Sequence, residues 1–486
     1  VALTLIALAA LMCLALGLRA RSGHEMGLEQ WTVAGRGFGG LFVFLLLAGE
    51  IYTTFTFLGG AGYAYGQGAA CYYILAYGTL AYVISYFMLP PVWAYARTHH
   101  LVSQPDFVAR KYAAPWLGVL VALVGVVALV PYLVLQFSGL GVIVEAASYG
   151  AIPKAAAIAI GALVTTLYVT VSGVRGSAWT SVVKDTTVLI AAVFLGIYMP
   201  LHYHGSITAM FRTLDHARPG FLAFPAAGQS VAWFVSTVLL TCLGFFMWPH
   251  SFGACYTARD PNTFRQNAVL LPLYQLVLLF IVFTGFTAVL AVPGLKGAAT
   301  NTALLKLVVK TFPPWGVGLI GAAGVLTAIV PGSLIMMSAS TLFARNIVGA
   351  LRPGRSDAAT VRLAKLLVPV MAIVAAYFAI SGSATIVVLL LMGYNFVTQL
   401  FPALVCSLMH RNPVTREGAA AGIVVGVGAV IWFSLTKQTL GTLVPDLPQA
   451  VRDLNVGIVA LLLNAAVCVA VSLATQGRAA ALRDAG

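Results

Sequence analysis

The chain has 486 residues, of which 60% are hydrophobic and 8% charged, with a mean hydropathy of +0.96. Soluble domains carry about 25% charged residues, so this composition cannot cover a water-facing globule and excludes a soluble enzyme. The net charge of +14 is scattered singly between apolar runs rather than gathered on a face or stripe, which excludes a nucleic-acid partner.

Apolar runs of membrane-spanning length recur along the whole chain. Thirteen spans are predicted, at 1–18, 39–67, 69–96, 115–148, 155–172, 180–203, 228–256, 268–293, 315–348, 362–380, 384–409, 418–436 and 456–476. The first run does not read as a signal peptide, because its basic residues Arg19 and Arg21 follow it and no small-residue cleavage site stands out. Dividing Lys and Arg between alternate loops places nineteen on one side and eight on the other. The richer side, which takes Arg175 and Lys184 with it, is cytoplasmic by the positive-inside rule, giving an outer N-terminus and an inner C-terminus. No soluble domain is expected at either end. The fold class is therefore all-α, a polytopic inner-membrane protein whose partner is the lipid bilayer. A monomer suffices for this reading.

Chemistry is confined to few places. Most acids, Asp185 among them, are assigned to loops or span ends, and Glu145 to the outer end of the fourth span. Only Glu50 is read as deep, roughly 4–5 Å along the axis from the middle of its run. A charge at the centre of a spanning helix costs about 2.5–3.5 kcal/mol, so it marks a functional site by default. The alternative is a neutral Glu bonded to a neighbouring helix. Gly49, Tyr52, Thr53, Thr54 and Thr56 surround it, and Gly59, Gly60 and Gly62 follow. Such a segment can open its backbone where it lines a cavity, or simply pack closely against another helix.

The seventh span carries Gly244, Phe245 and Pro249, and the ninth carries Pro331, Gly332 and Ser333. Both read as interruptions, with a packing kink as the alternative. Interrupted helices at corresponding positions point to an inverted-repeat transporter with a midplane site. Spans two and seven are five apart, which suggests repeats at 39–203 and 228–409, a peripheral helix at 1–18, and two more helices at 418–486. Gln136, Tyr394, Asn395, Thr398 and Gln399 are further polar residues within spans, as ligand contacts or as interhelical glue. The six cysteines show no metal-ligand spacing, and no hydrolase, zinc or phosphate-loop motif is present. A catalytic role, a metal and a cofactor are all unsupported.

Several stretches resemble one family in order and spacing. They are Glu29-Gln30-Trp31-Thr32-Val33-Ala34-Gly35-Arg36, Gln104-Pro105-Asp106-Phe107 with Arg110-Lys111-Tyr112, Gly173-Val174-Arg175-Gly176-Ser177-Ala178-Trp179-Thr180, and Trp248-Pro249-His250. The chain looks like a member of the sodium:solute symporter family, which implies a LeuT-type fold. The stretch from Ile329 to Asn346 is similar to the bacterial monocarboxylate permease branch, which implies lactate, pyruvate or propionate as substrate. By the same resemblance the coupling ion falls at Leu47, Glu50 and Thr327. Val330 and Pro331 lack the hydroxyls of the family pattern, and Ser181 stands where an acid often does. Coupling to Na+ with help from Ser333, or to H+ through Glu50, is therefore expected. The expected carboxylate site comprises Gly49, Tyr52, Thr53 and Thr54 with Thr241, Phe245 and Pro249, and then Gln136, Tyr394 and Asn395. The alternatives are a symporter for another small solute, such as proline, or a solute-sensing membrane protein.

Overall fold

The structure, a computed structural model, describes residues 1–21, 27–49 and 51–484, the side chains at 21 and 477–484 excepted. Glu50 lies outside the described residues. The regular secondary structure of the described chain is helical apart from one isolated bridge, Phe38 to Ala258. We label the principal helices α1 (Ala2–Arg21), α2 (Gly40–Ala48), α3 (Ala61–Gln67), α4 (Tyr73–Thr98), α5 (Gln104–Lys111), α6 (Pro115–Ala147), α7 (Lys154–His204), α8 (Ile207–Ala217), α9 (Val231–Gly244) and α10 (Pro249–Tyr256). They continue as α11 (Asn262–Gln275), α12 (Leu278–Ala291), α13 (Ala303–Thr311), α14 (Pro314–Leu342), α15 (Asp357–Ser381), α16 (Ile386–Val397), α17 (Phe401–Ser407), α18 (Arg416–Thr436) and α19 (Val456–Asp484).

Among the described residues, ten helices are long and apolar enough to cross a membrane, or eleven when the pair α9–α10, bent by 49°, is one span. This count joins two pairs of the thirteen predicted spans end to end. The predicted spans 155–172 and 180–203 are the two halves of α7, two helices that meet end to end at a kink at Gly173. The predicted span 39–67 is interrupted after Ala48, and its second half ends with α3 at Gly68, whose φ of 58° turns the chain into the three-ten turn that leads to α4. Gly173 has φ 59° and ψ −166°, a region open in practice only to glycine. A Cβ there would lie 3.2 Å from the Trp31 ring.

Local chemistry sets several helix starts. The Ser103 hydroxyl accepts the Asp106 amide 3.2 Å away, capping α5 beside a first-turn proline. Ser356, Thr385 and Thr415 cap α15, α16 and α18 in the same way. The centre of the molecule is α14, apolar on every side and almost wholly buried, packed against α6, α7 and α1. Outward-facing Phe87, Ile190, Leu366 and Tyr377 are exposed, as a lipid-facing surface requires. Helices α18 and α19 pack on each other outside this core, tied to it by Asn464, which donates to the Gln399 carbonyl at 2.7 Å.

Candidate functional site

Two helix breaks face a common neighbour, α6. The first lies between α2 and the wide helical turn Phe55–Gly60 that leads into α3. There the Thr54 hydroxyl donates to Gln136 Oε1 at 2.8 Å, and the Thr54 amide donates to the same oxygen at 3.4 Å. Gln136 is buried, and its Nε2 has no partner among the described residues. The second break follows Gly244: Phe245–Met247 form a three-ten turn, Trp248 is extended, and Pro249 opens α10. Proline suits that first position because its missing N–H would lack an intrahelical partner anyway.

Tyr132, one turn before Gln136 on α6, packs its ring 4.8 Å from Trp248. One face of α6 thus touches both breaks. Around Trp248 the rings of Tyr394 (5.3 Å), Tyr77 (5.8 Å from Tyr394) and Phe245 (6.2 Å from Tyr77) complete an aromatic cluster. Tyr73 and Tyr63 extend this ladder away from Trp248, at 5.9 Å and 5.7 Å between successive rings.

A third element had been missed from sequence. Lys184 and Asp185, assigned above to a cytoplasmic loop and a span end, are buried within α7. The reason is the kink. The second half of α7 restarts at Val174, so Lys184 lies about 15 Å along the axis from that start, near the middle of a ~30 Å hydrocarbon layer. Ser177, Ser181, Lys184 and Asp185 share one face at helical spacing. Ser177 and Ser333 of α14 pair their hydroxyls at 2.8 Å, while Ser181 Oγ has no partner among the described residues.

Lys184 Nζ donates to the carbonyls of Gly49 and Tyr52, each at 3.4 Å, and lies 2.8 Å from Asp185 Oδ1. Adjacent residues on a helix point in different directions. The pair is therefore close in distance, yet neither Asp185 oxygen has an aligned hydrogen-bond donor among the described residues.

The other expected site residues fall as follows. Tyr52 donates from its hydroxyl to the Tyr274 carbonyl at 2.9 Å, and Thr53 Oγ1 accepts the Phe55 amide at 3.0 Å. The amides of Gly49, Ile51, Tyr52, Thr53 and Thr54 all have acceptors, so the opened segment presents carbonyls rather than N–H groups. Leu47 is buried, and Thr327 donates to the Gly324 carbonyl. Ser333 also donates to the Val330 carbonyl at 2.6 Å. Thr241 donates to its own helix at the Thr237 carbonyl. Asn395 sits against Gly457 at the start of α19.

The interruption expected at Pro331 and Gly332 is absent: α14 runs as one α-helix from Pro314 to Leu342 with Pro331 inside it. A proline forfeits one backbone hydrogen bond, and close packing on all sides holds the helix through that loss.

The two ends of α4, a helix ~39 Å long, meet different surroundings. Near Tyr73 a cavity of about 540 Å³ opens, lined by Tyr63, Tyr65, Trp233, Arg218, Lys296 and residues of α16. Beyond Thr98 the chain is closed. Arg36 donates to the Leu101 carbonyl at 2.7 Å, Arg97 to the Arg259 carbonyl at 2.6 Å, and Tyr112 to the Ala403 carbonyl at 2.6 Å. Arg345 and Asn346 both bind the Asp106 carboxylate there, at 2.9 and 2.7 Å. Among the described residues no group of three His, Cys, Asp or Glu side chains gathers to hold a metal.

Residues 31–426 match the model of the sodium:solute symporter family. The symporter YhjB of Bacillus subtilis is 59% identical over 98% of this chain and 97% of its own length. A monocarboxylate transport permease protein of Rhizobium johnstonii is 29% identical, covering 93% of this chain and 91% of that one. The fold is similar to that of a Na+-coupled sialic acid symporter in its substrate-bound, outward-open state, with a TM-score of 0.79 at 16% identity, covering 97% and 96% of the two chains.

Proposed function

The chain belongs to the sodium:solute symporter family, and from that premise we propose that it imports a short-chain monocarboxylate of the lactate, pyruvate or propionate type. Membership makes it a secondary active symporter and not an enzyme. The observation that carries the anionic substrate is the cavity near Tyr73, where Arg218 and Lys296 are the charged lining residues. A cleft lined by one sign of charge concentrates the opposite ion. From its wall the ladder of Tyr63, Tyr73, Tyr77 and Tyr394 descends to the second break. The amide nitrogen of Gln136, without a partner among the described residues, supplies a donor for a carboxylate beside the first break. The similarity to a monocarboxylate transport permease supports the same class.

In this reading the coupling ion is Na+ or H+, Glu50 is the coupling acid, and the cavity faces outward on an inner membrane. Tyr52, Thr53 and Thr54 hold the first break in shape, while Phe245, Pro249 and Tyr394 form the apolar side of the site. Two five-helix inverted repeats, each beginning with a broken helix, are the architecture that places both breaks beside α6.

The experiment is uptake of labelled pyruvate into proteoliposomes, with sodium and proton gradients imposed separately. Accumulation under either gradient, competed by lactate and propionate, supports the reading. Accumulation of labelled proline but not of pyruvate would move the substrate to another class, and no gradient-driven uptake of either would remove the proposal.

A further inference from the structure

Three oxygens surround one nitrogen in the middle of this protein. The Gly49 and Tyr52 carbonyls come from the first break, the carboxylate comes from Asp185, and Lys184 Nζ sits among them. All four residues lie in the interior. Opened backbone carbonyls at the end of a half-helix are ligands for a small cation, and the negative end of the helix dipole adds to their pull. At the break the Ala48, Ile51 and Thr53 carbonyls accept backbone amides, the Gly49 and Tyr52 carbonyls face the ammonium instead, and the break's described amides are taken. An oxygen cage of this kind attracts a cation, and here the cation is part of the chain.

The ammonium is ion-paired closely with Asp185 but holds the two carbonyls loosely. Both carbonyl contacts are 3.4 Å long, well beyond the ordinary 2.9–3.0 Å of a firm N–H···O bond. Asp185, nine-tenths buried, has no aligned donor on either oxygen among the described residues. Its Oδ1 is ion-paired with the ammonium at 2.8 Å, and its Oδ2 keeps accepting capacity for a second positive charge. A flexible four-carbon stem allows the Lys184 head to swing while its backbone stays in the helix.

We propose that Lys184 is a tethered resident cation of the first helix break, and that a transported alkali cation binds there by displacing its ammonium from the Gly49 and Tyr52 carbonyls. This deepens the symporter reading above and rests on it. The tether makes the coupling ion compete with a group that cannot diffuse away. It weakens ion binding and keeps the break supported by positive charge at every stage of the cycle.

The test is the thermal stability of the purified full-length protein titrated with NaCl, choline chloride holding total salt constant, with no substrate present. Lys184→Met removes the competitor. Lys184→Gln removes its charge but keeps donors for the carbonyls, and so carries the test if the methionine variant does not fold. The expected result is a half-saturating NaCl concentration at least tenfold below that of the wild type. A midpoint that is unchanged, higher or lost in folded, monodisperse variant protein overturns the proposal. So does failure of both variants to fold even in high NaCl, because sodium then cannot take the place of the ammonium. The readout needs no transport, so pyruvate uptake by the wild type stands or falls separately.

Discussion

Asp106 on α5 and Arg345 just beyond α14 are 239 residues apart in sequence and 2.9 Å apart in space. Asn346 binds the other carboxylate oxygen, and Ser103 joins it by donating to Asn346 Oδ1 at 3.1 Å. The contact ties the link between α4 and α6 to the end of the central helix, at the end of the molecule opposite the large cavity. Access from one side is open while the other is latched, as alternating access requires.

Weakening this latch is expected to shift the protein toward the opposite opening. Arg345 is about a third exposed, so solvent screening discounts the ion pair, and a roughly tenfold change in population is the reasonable scale. Asp106→Asn should raise the labelling rate of Cys255, buried on α10, by a thiol reagent added on the latched side. An unchanged rate would show that the other closing contacts carry the seal alone.

Gln136 is expected to serve the substrate and the first break at once. Gln136→Leu removes the amide donor and strands the Thr54 hydroxyl, at a cost of about 1–3 kcal/mol for a buried unsatisfied group. KM for pyruvate uptake should rise at least tenfold, and Gln136→Glu should be worse because it places a carboxylate beside a carboxylate. Saturation curves in proteoliposomes give the answer, with an unaltered KM counting against a binding role.

The cavity charges act at longer range. Arg218→Gln combined with Lys296→Gln should reduce uptake at subsaturating pyruvate severalfold in low salt. The deficit should shrink as ionic strength rises, since a Debye length of about 10 Å at 0.1 M screens an open cleft. A deficit independent of salt would assign these residues a structural part instead.

For the coupling acid, Glu50→Gln should abolish concentrative uptake while leaving counterflow of labelled for unlabelled pyruvate intact. Equal accumulation by this variant and the wild type would take Glu50 out of the coupling step.

Gly173→Ala is expected to destabilise the fold by about 1–3 kcal/mol, because φ 59° with ψ −166° strains any residue with a Cβ. The added methyl would also press on Trp31. A lower melting temperature with normal substrate specificity is the predicted outcome.

The class of the molecule and most of its spans are legible in the sequence because a bilayer permits few solutions. Hydropathy located the break between α9 and α10 through Pro249, whose effect on a helix is local. The same logic failed at Pro331, where packing from every side holds the helix together, a tertiary effect that no local pattern records. Lys184 and Asp185 were misplaced for a related reason. Counting the span from 180 put them near its end, whereas the kink at Gly173 starts it earlier. The usable signal was the pattern Ser177, Ser181, Lys184 and Asp185, a polar face at helical spacing inside an apolar run.

That Lys184 and Asp185 are sequence neighbours also bears on how the protein is made. Each charge alone would cost about 2.5–3.5 kcal/mol at the middle of an inserting helix. As neighbours they enter the bilayer as a segment of zero net charge, before α14 has been synthesised. A lysine whose counter-ion lay on α14 would wait unpaired in lipid for the rest of that interval. The carbonyls of Gly49 and Tyr52, made earlier, acquire their cation only when α7 arrives. Insertion of α7 is therefore the step that completes the first broken helix, and truncated chains ending before it should leave that helix the first target of membrane quality control.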